Sequence, residues 1–291
     1  MKFVFAFNGT RGDIQPAVTI GAELSRRGHD VVFGSPPNLF DFASKLGLDA
    51  RNFGYDTRVH MNSDLVRNRA RTGSPVKRLR ALAEIRDFGW TQIVCDMHEI
   101  HLGADAIVTG FTTEQVAFNF AEASGIPFIT LHHAPIVPNN HLSPVAGASV
   151  SLPRWVNRAS WALFEGLFWQ LTRARENRLR TELGLKPATK TLRERITSYG
   201  SIQIQAYDRT FMPELASDWG AERPFVGFVD LDDRQRKSIG EDRELDPALV
   251  EWIEAGPAPV YFGSAACPYP IQRPCCPSSQ LHVRNWVNER W

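Results

Sequence analysis

Little in this sequence marks a secreted, membrane-spanning or nucleic-acid-binding chain. It has only four cysteines in 291 residues, and three of them (Cys267, Cys275 and Cys276) fall in the last 25 positions. That fits the cytoplasm, the default compartment in the absence of a signal or a span, where a disulfide framework is not expected. No stretch approaches the ~18 uninterrupted apolar residues of a membrane span. The apolar run at 3–7 is too short for the h-region of a secretory signal. Charge is balanced, with 33 basic and 32 acidic side chains giving a net +1. That leaves no excess of lysine and arginine to displace counterions, so nucleic acid is not an expected partner. There is no internal repeat and no low-complexity tract.

What is present is a core and a pattern. At 43% hydrophobic the chain can bury a sizeable interior. Its length allows two domains, or one large domain with an incomplete neighbour, at roughly 100–200 residues each. Residues 2–7, 30–34 and 49–53 read as strands, and 14–27 and 38–45 as helices. Further on, 105–109 and 127–131 read as buried strands flanking a helix at 113–124. This alternation predicts an α/β fold with a doubly wound parallel sheet. A helix over 153–183 follows, closed by Gly184 as a C′ residue. Its aromatic stripe of Trp161, Phe164 and Phe168 is read as helix core in preference to a lipid contact. Late strands are expected at 202–206 and 225–229. The charged segment 230–246 reads as a linker, and a short helix at 247–254 and a strand at 259–262 begin a second βα pattern. From Val66 to Ala83 there is no acidic residue but there are Arg67, Arg69, Arg71, Lys77, Arg78 and Arg80. We read that stretch as solvated surface, with attraction to an anionic membrane face as the sharper alternative.

The first strand runs into Asn8-Gly9-Thr10-Arg11-Gly12-Asp13 and then a helix. In an open parallel sheet, ligands bind beyond the carboxyl ends of the strands. A glycine loop at a helix N-terminus also offers free N–H groups to an anion. The loop lacks the G-x-G-x-x-G spacing of a dinucleotide site, which argues against an oxidoreductase. By itself it also fits a plain βα turn with Asp13 as a helix cap.

The longer string is more specific. Gly9-Thr10-Arg11-Gly12-Asp13-x-x-Pro16, Gly21-x-x-Leu24 and Arg27-Gly28-His29-x-Val31 resemble the N-terminal signature of inverting GT-B glycosyltransferases. The similar branch is the bacterial one that glycosylates glycopeptide antibiotics, sterols and mycobacterial glycolipids. The resemblance continues through Pro36-Pro37-Asn38, Leu131-His132-His133, Ile204-Gln205-Ala206-Tyr207-Asp208, Arg223-Pro224-Phe225-Val226-Gly227 and Pro259-Val260-Tyr261-Phe262-Gly263. It implies a Rossmann-like acceptor-binding domain over 1–229, the linker 230–246, and only the start of a donor-binding domain at 247–264.

Inverting transfer needs a base for the acceptor hydroxyl and a partner for the departing diphosphate. The resemblance implies Asp13 as the base. It implies Gly9, Thr10, Arg11, Gly12 and Ser264 as contacts to a UDP- or dTDP-sugar donor, and a lipid or other hydrophobic aglycone as acceptor. His132 and His133 are expected to line the acceptor pocket. Two histidines without a third ligand are not a metal site, and no metal or tightly bound cofactor is expected.

After Ser264 the family pattern is lost. Residues 265–291 hold four prolines and three cysteines but no glycine, and they show neither helical nor strand period. The expectation is an unrelated, out-of-frame tail on a truncated relative with impaired turnover. The rival reading is a non-catalytic fragment that keeps the acceptor pocket.

Overall fold

The computed structural model describes residues 1–69, 77, 81, 84–85, 87–144, 152–241 and 246–259. The expected strand at 259–262 lies all but Pro259 outside them. Ser264, the tail 265–291 and most of the basic stretch from Arg71 to Arg80 also lie outside the described residues. The chain divides into two compact units. One comprises Met1–His60 with Arg86–Arg243, and the other Met61–Ile85 with Glu244–Trp291.

The first unit is built on a six-stranded sheet in the order β3-β2-β1-β4-β5-β6, every pairing parallel. The strands are β1 Lys2–Ala6, β2 Asp30–Ser35, β3 Asp49–Asn52, β4 Ala106–Thr109, β5 Phe128–His132 and β6 Ile202–Gln205. Between them run α1 Arg11–Arg26, α2 Phe40–Lys45, α3 Thr57–Asn62, and, beyond the short α4 Asp64–Arg67 of the second unit, α5 Trp90–Ile100. Then come α6 Glu114–Ser124, α7 Arg154–Glu182, α8 Leu192–Ser198, α9 Pro213–Asp218 and α10 Asp233–Ser238.

The period-2 alternation of β1 explains why the sheet is covered on both faces. Val4 and Ala6 join one core with Ile107, Phe118 and Phe120, while Phe5 and Phe7 join the other with Ile14, Val18 and Phe33. The rings of Phe5, Phe7 and Phe33 stack with centroids 5.5–6.1 Å apart. Because the order reverses between β1 and β4, a topological switch point opens at their carboxyl ends, the place where such sheets bind ligands.

Several local expectations need correction. The helix expected at 38–45 begins as a 3-10 turn, Pro37–Leu39, and becomes α only at Phe40, because the paired prolines set the entry. The strand expected at 225–229 is reduced to one parallel bridge, Gln205 to Phe225. Pro224 has no N–H to donate, and Gly227 turns the chain at φ +77°. The stripe expected as core is buried only at Trp161; Phe164 is 40% exposed. The charged segment at 230–246 contains α10, started by Asp232, whose carboxylate accepts from the Gln235 amide while the Gln235 side chain accepts from the Asp232 amide.

In the second unit, α4 is capped by Ser63, whose hydroxyl accepts from the Val66 amide, and Arg69 pairs with Glu84 at 2.7 Å. The helix α11 Pro247–Glu254 starts with proline in its first turn behind Asp246, which accepts from the Ala248 amide. None of the described helices is long and apolar enough to cross a membrane.

Candidate functional site

The loop after β1 emerges at the switch point, and its shape follows from short-range contacts. Thr10 caps α1, and Asp13 in the first turn accepts from both the Thr10 amide (2.7 Å) and the Thr10 hydroxyl (3.0 Å). This capping geometry satisfies an amide that the helix itself cannot. Gly9 permits it: a Cβ there would sit 2.5 Å from Asp13 Oδ2. At Gly12 the nearest atom to such a Cβ is Thr10 Oγ1 at 3.8 Å, so no close approach demands glycine at that position.

The loop is fastened to its neighbours by Asn8, which is 2% exposed. The Asn8 side-chain amide donates to the carbonyls of Phe53 and Tyr55, each at 3.0 Å. In the other direction the Thr112 hydroxyl donates to the Asn8 carbonyl. The hydroxyls of Thr109 and Thr113 both donate to the Ala6 carbonyl at 2.8 Å. Loops after β1, β3 and β4 are thereby tied together around the switch point. The sequence reading missed Asn8 and Thr112. Asn8 opens the glycine loop, but nothing in the local pattern marks its partners, more than 40 residues away.

The two adjacent histidines take opposite roles because consecutive residues at a strand end face opposite sides. His133 is half exposed, and its Nε2 lies 3.5 Å from Asp13 Oδ1. His132 is fully buried and does not open to a pocket. Its Nε2 donates to Glu114 Oε1 at 2.6 Å, and Nδ1 accepts from the Gln205 side chain at 3.4 Å, which assigns the neutral Nε2–H tautomer. Burial pushes the His132 pKa down against the opposing pull of Glu114.

Glu114 itself is 1% exposed. Arg193 reaches its Oε2 at 2.8 Å and its Oε1 at 3.3 Å. Burial works to raise the Glu114 carboxyl. The Arg193 charge and the hydrogen bonds from Arg193 and His132 outweigh it and hold the group at about 2.

Arg11 is already engaged. Its guanidinium spans the carboxylate of Glu241, with Nη2 to Oε2 at 2.7 Å, and its Nε donates to Gln15 at 2.9 Å. It also lies over the Phe42 ring, 5.0 Å from the centroid. The hydrogen bond to Glu241 raises the Arg11 pKa and lowers that of Glu241. Asp230 joins the cluster through Gln15 and Arg236. The structure thus brings Gly9, Thr10, Arg11, Gly12, Asp13 and His133 to one crevice, separates His132 from it, and adds Glu241 and Asp230, which the sequence reading placed in a linker.

The family model for the Glycosyltransferase family 28 N-terminal domain matches residues 3–140. An uncharacterized glycosyltransferase of Mycobacterium tuberculosis is 36% identical over 270 residues, covering 92% of this chain and 62% of that protein. A sterol 3-beta-glucosyltransferase of Arabidopsis thaliana is 29% identical over 94% of this chain and 42% of its own length. The vancomycin aglycone glucosyltransferase of Amycolatopsis orientalis is 25% identical over the whole of this chain and 67% of its own length. The chain therefore spans about three fifths of the length of the mycobacterial relatives it matches.

Proposed function

From its likeness to the family 28 N-terminal domain and to mycobacterial glycosyltransferases, we propose that this chain is a GT-B glycosyltransferase whose switch-point crevice is the acceptor side of an inverting hexosyl transfer from a UDP- or dTDP-sugar to the hydroxyl of a lipid or other hydrophobic aglycone. One observation carries the reading. The Asp13 carboxylate is fixed by Thr10 at the head of α1, with one oxygen turned toward His133 at 3.5 Å. A hydroxyl seated there would meet a carboxylate able to take its proton as the hydroxyl oxygen attacks the anomeric carbon and the diphosphate departs. Arg11 and the first-turn amides of α1 would face the developing negative charge. In this scheme residues 1–229 are the acceptor-binding domain, and Ser264 belongs to the donor side.

The test is transfer of glucose from UDP-glucose to a sterol by this chain, followed by mass spectrometry, with Asp13→Asn beside it. The expected loss is at least ~10²-fold, the usual contribution of a positioned base. Equal product from both proteins would remove Asp13 from the mechanism.

A second reading, an acceptor-binding module without turnover, is favoured by the pairing of Arg11 with Glu241, which occupies the cation a diphosphate would need. Calorimetric binding of a sterol with no heat from UDP or dTDP would select it.

A further inference from the structure

A cavity of about 730 Å³ lies on the first unit, away from the loop just described. It is bounded by the first half of α7, by α8 and by the stretch between α9 and the Phe225 bridge, and neither Gly9–Asp13 nor His133 lines it. That volume is within the range of small-molecule sites.

Its charges are unbalanced. The two acidic side chains at its rim have partners: Asp218 accepts from His141 at 2.7 Å, and Glu194 accepts from the Thr191 amide and hydroxyl. Of the basic ones, Arg193 is turned to Glu114 at 2.8 Å, but three others have no such partner. Arg223 is half-buried and stacks on the Trp219 ring with its guanidinium carbon 5.3 Å from the centroid. Among the described residues it makes no side-chain hydrogen bond or ion pair, and its Nε is buried without an acceptor. Arg158 and Lys190 line the same cavity without a carboxylate partner among the described residues.

A guanidinium removed from water without an anion is costly, and such a group in a cavity is a site for one. The other lining carboxyl, Glu165, forms no ion pair with these cations among the described residues. It has no hydrogen-bond partner among the described residues, and burial pushes its pKa up, toward the neutral form. The remaining walls suit a ring bearing hydroxyls: the Trp161 and Trp219 side chains offer flat apolar surface, and Thr197 and Ser198 offer hydroxyls.

We propose that this cavity binds a sugar carrying a phosphate group, the phosphate on Arg223 with Arg158 and Lys190 beside it, the sugar ring against the tryptophans, and a hydroxyl on Glu165. The sugar phosphate is either free or the headgroup of a lipid.

Calorimetry on the full chain tests this with glucose 1-phosphate, glucose and inorganic phosphate, and with phosphatidylcholine vesicles with and without phosphatidylinositol. Saturable one-to-one binding of glucose 1-phosphate, at least tenfold weaker in Arg223→Gln and unchanged in Arg11→Gln, supports a free ligand. Binding only to the phosphatidylinositol vesicles, lost in the same variant, supports a lipid-borne one. Equal affinity for glucose and glucose 1-phosphate overturns the proposal, as does inorganic phosphate binding as tightly as the sugar phosphate. Absence of binding to every probe at millimolar concentration overturns it as well, and so does binding indifferent to Arg223→Gln. Where Arg223→Gln fails to fold, the exposed Arg158→Gln replaces it, with a several-fold loss expected and no loss refuting.

Discussion

Replacing Arg193 by methionine removes the only fixed positive charge that touches Glu114 among the described residues and leaves that carboxylate in a site from which water is excluded. Two estimates of the cost converge. Breaking a buried ion pair from one side costs about 3–5 kcal/mol. Independently, a carboxyl held at about 2 in place of its ordinary 4.5 contributes about 3 kcal/mol to stability at neutral pH, at roughly 1.36 kcal/mol per pKa unit. Against a total of about 5–15 kcal/mol for a folded domain, either figure is large. Urea unfolding followed by circular dichroism reads it directly: with a slope of about 3 kcal/mol per molar, the midpoint falls by roughly 1 M.

The pH dependence gives a second check. The folded pKa of Glu114 lies below its unfolded value. Its stabilisation is therefore complete above about pH 4.5 and is lost as pH falls toward about 2. The gap between the natural protein and Arg193→Met should be full at pH 7 and shrink as pH falls from about 4.5 toward about 2. The double variant Glu114→Met with Arg193→Met should lose less than Arg193→Met alone, because no charge is stranded. A single-variant loss under about 1 kcal/mol at pH 7, or a gap independent of pH, refutes the account of the buried network.

The capping loop and its surroundings give three further expectations. Gly9→Ala places a methyl 2.5 Å from Asp13 Oδ2; the carboxylate must leave Thr10, α1 loses about 1 kcal/mol of cap energy, and the thermal midpoint drops by a few degrees. Gly89→Ala combines φ +71° with a Cβ 2.0 Å from the Tyr55 ring, whereas Gly28→Ala has φ +85° in open space; chemical denaturation should show the first losing more than 2 kcal/mol and the second about 1 kcal/mol. Glu241→Gln breaks a pair whose side chains are 43% and 35% exposed, so stability should move by less than about 1 kcal/mol; titration with UDP at low salt should show several-fold tighter binding as Arg11 is released.

How far the sequence can be read depends on whether the deciding contact is local. β1 and α1 are plain in the primary structure because period 2 gives way to period 3.6 at a glycine loop. Asp13 could be placed because its cap partner is three residues away. His132 and His133 could not be told apart, since what separates them is which side of the strand end holds Glu114, a residue 18 positions earlier whose partner Arg193 lies 79 positions from it. The segment at 230–246 looked like a linker because it has few apolar residues. Its order among the described residues comes from charge pairing to α1 through Arg11 and Gln15, which composition does not reveal. The stripe on α7 was misjudged because helical spacing fixes a face without showing what covers it.

The Asn8 anchorage has a consequence for how a ligand would experience this protein. One amide fastens the β1 loop to the Phe53–Tyr55 segment, and one hydroxyl fastens it to the β4 loop. The rim that carries Asp13 therefore behaves as a single stiff jaw. A molecule arriving there meets a shape already set, with little ordering entropy left to spend on that side. Gly54 keeps that jaw aligned, since a Cβ at Gly54 would lie 2.4 Å from the Asn8 side chain. A lesion at this residue, which touches no ligand in the scheme, would leave grip intact and spoil aim.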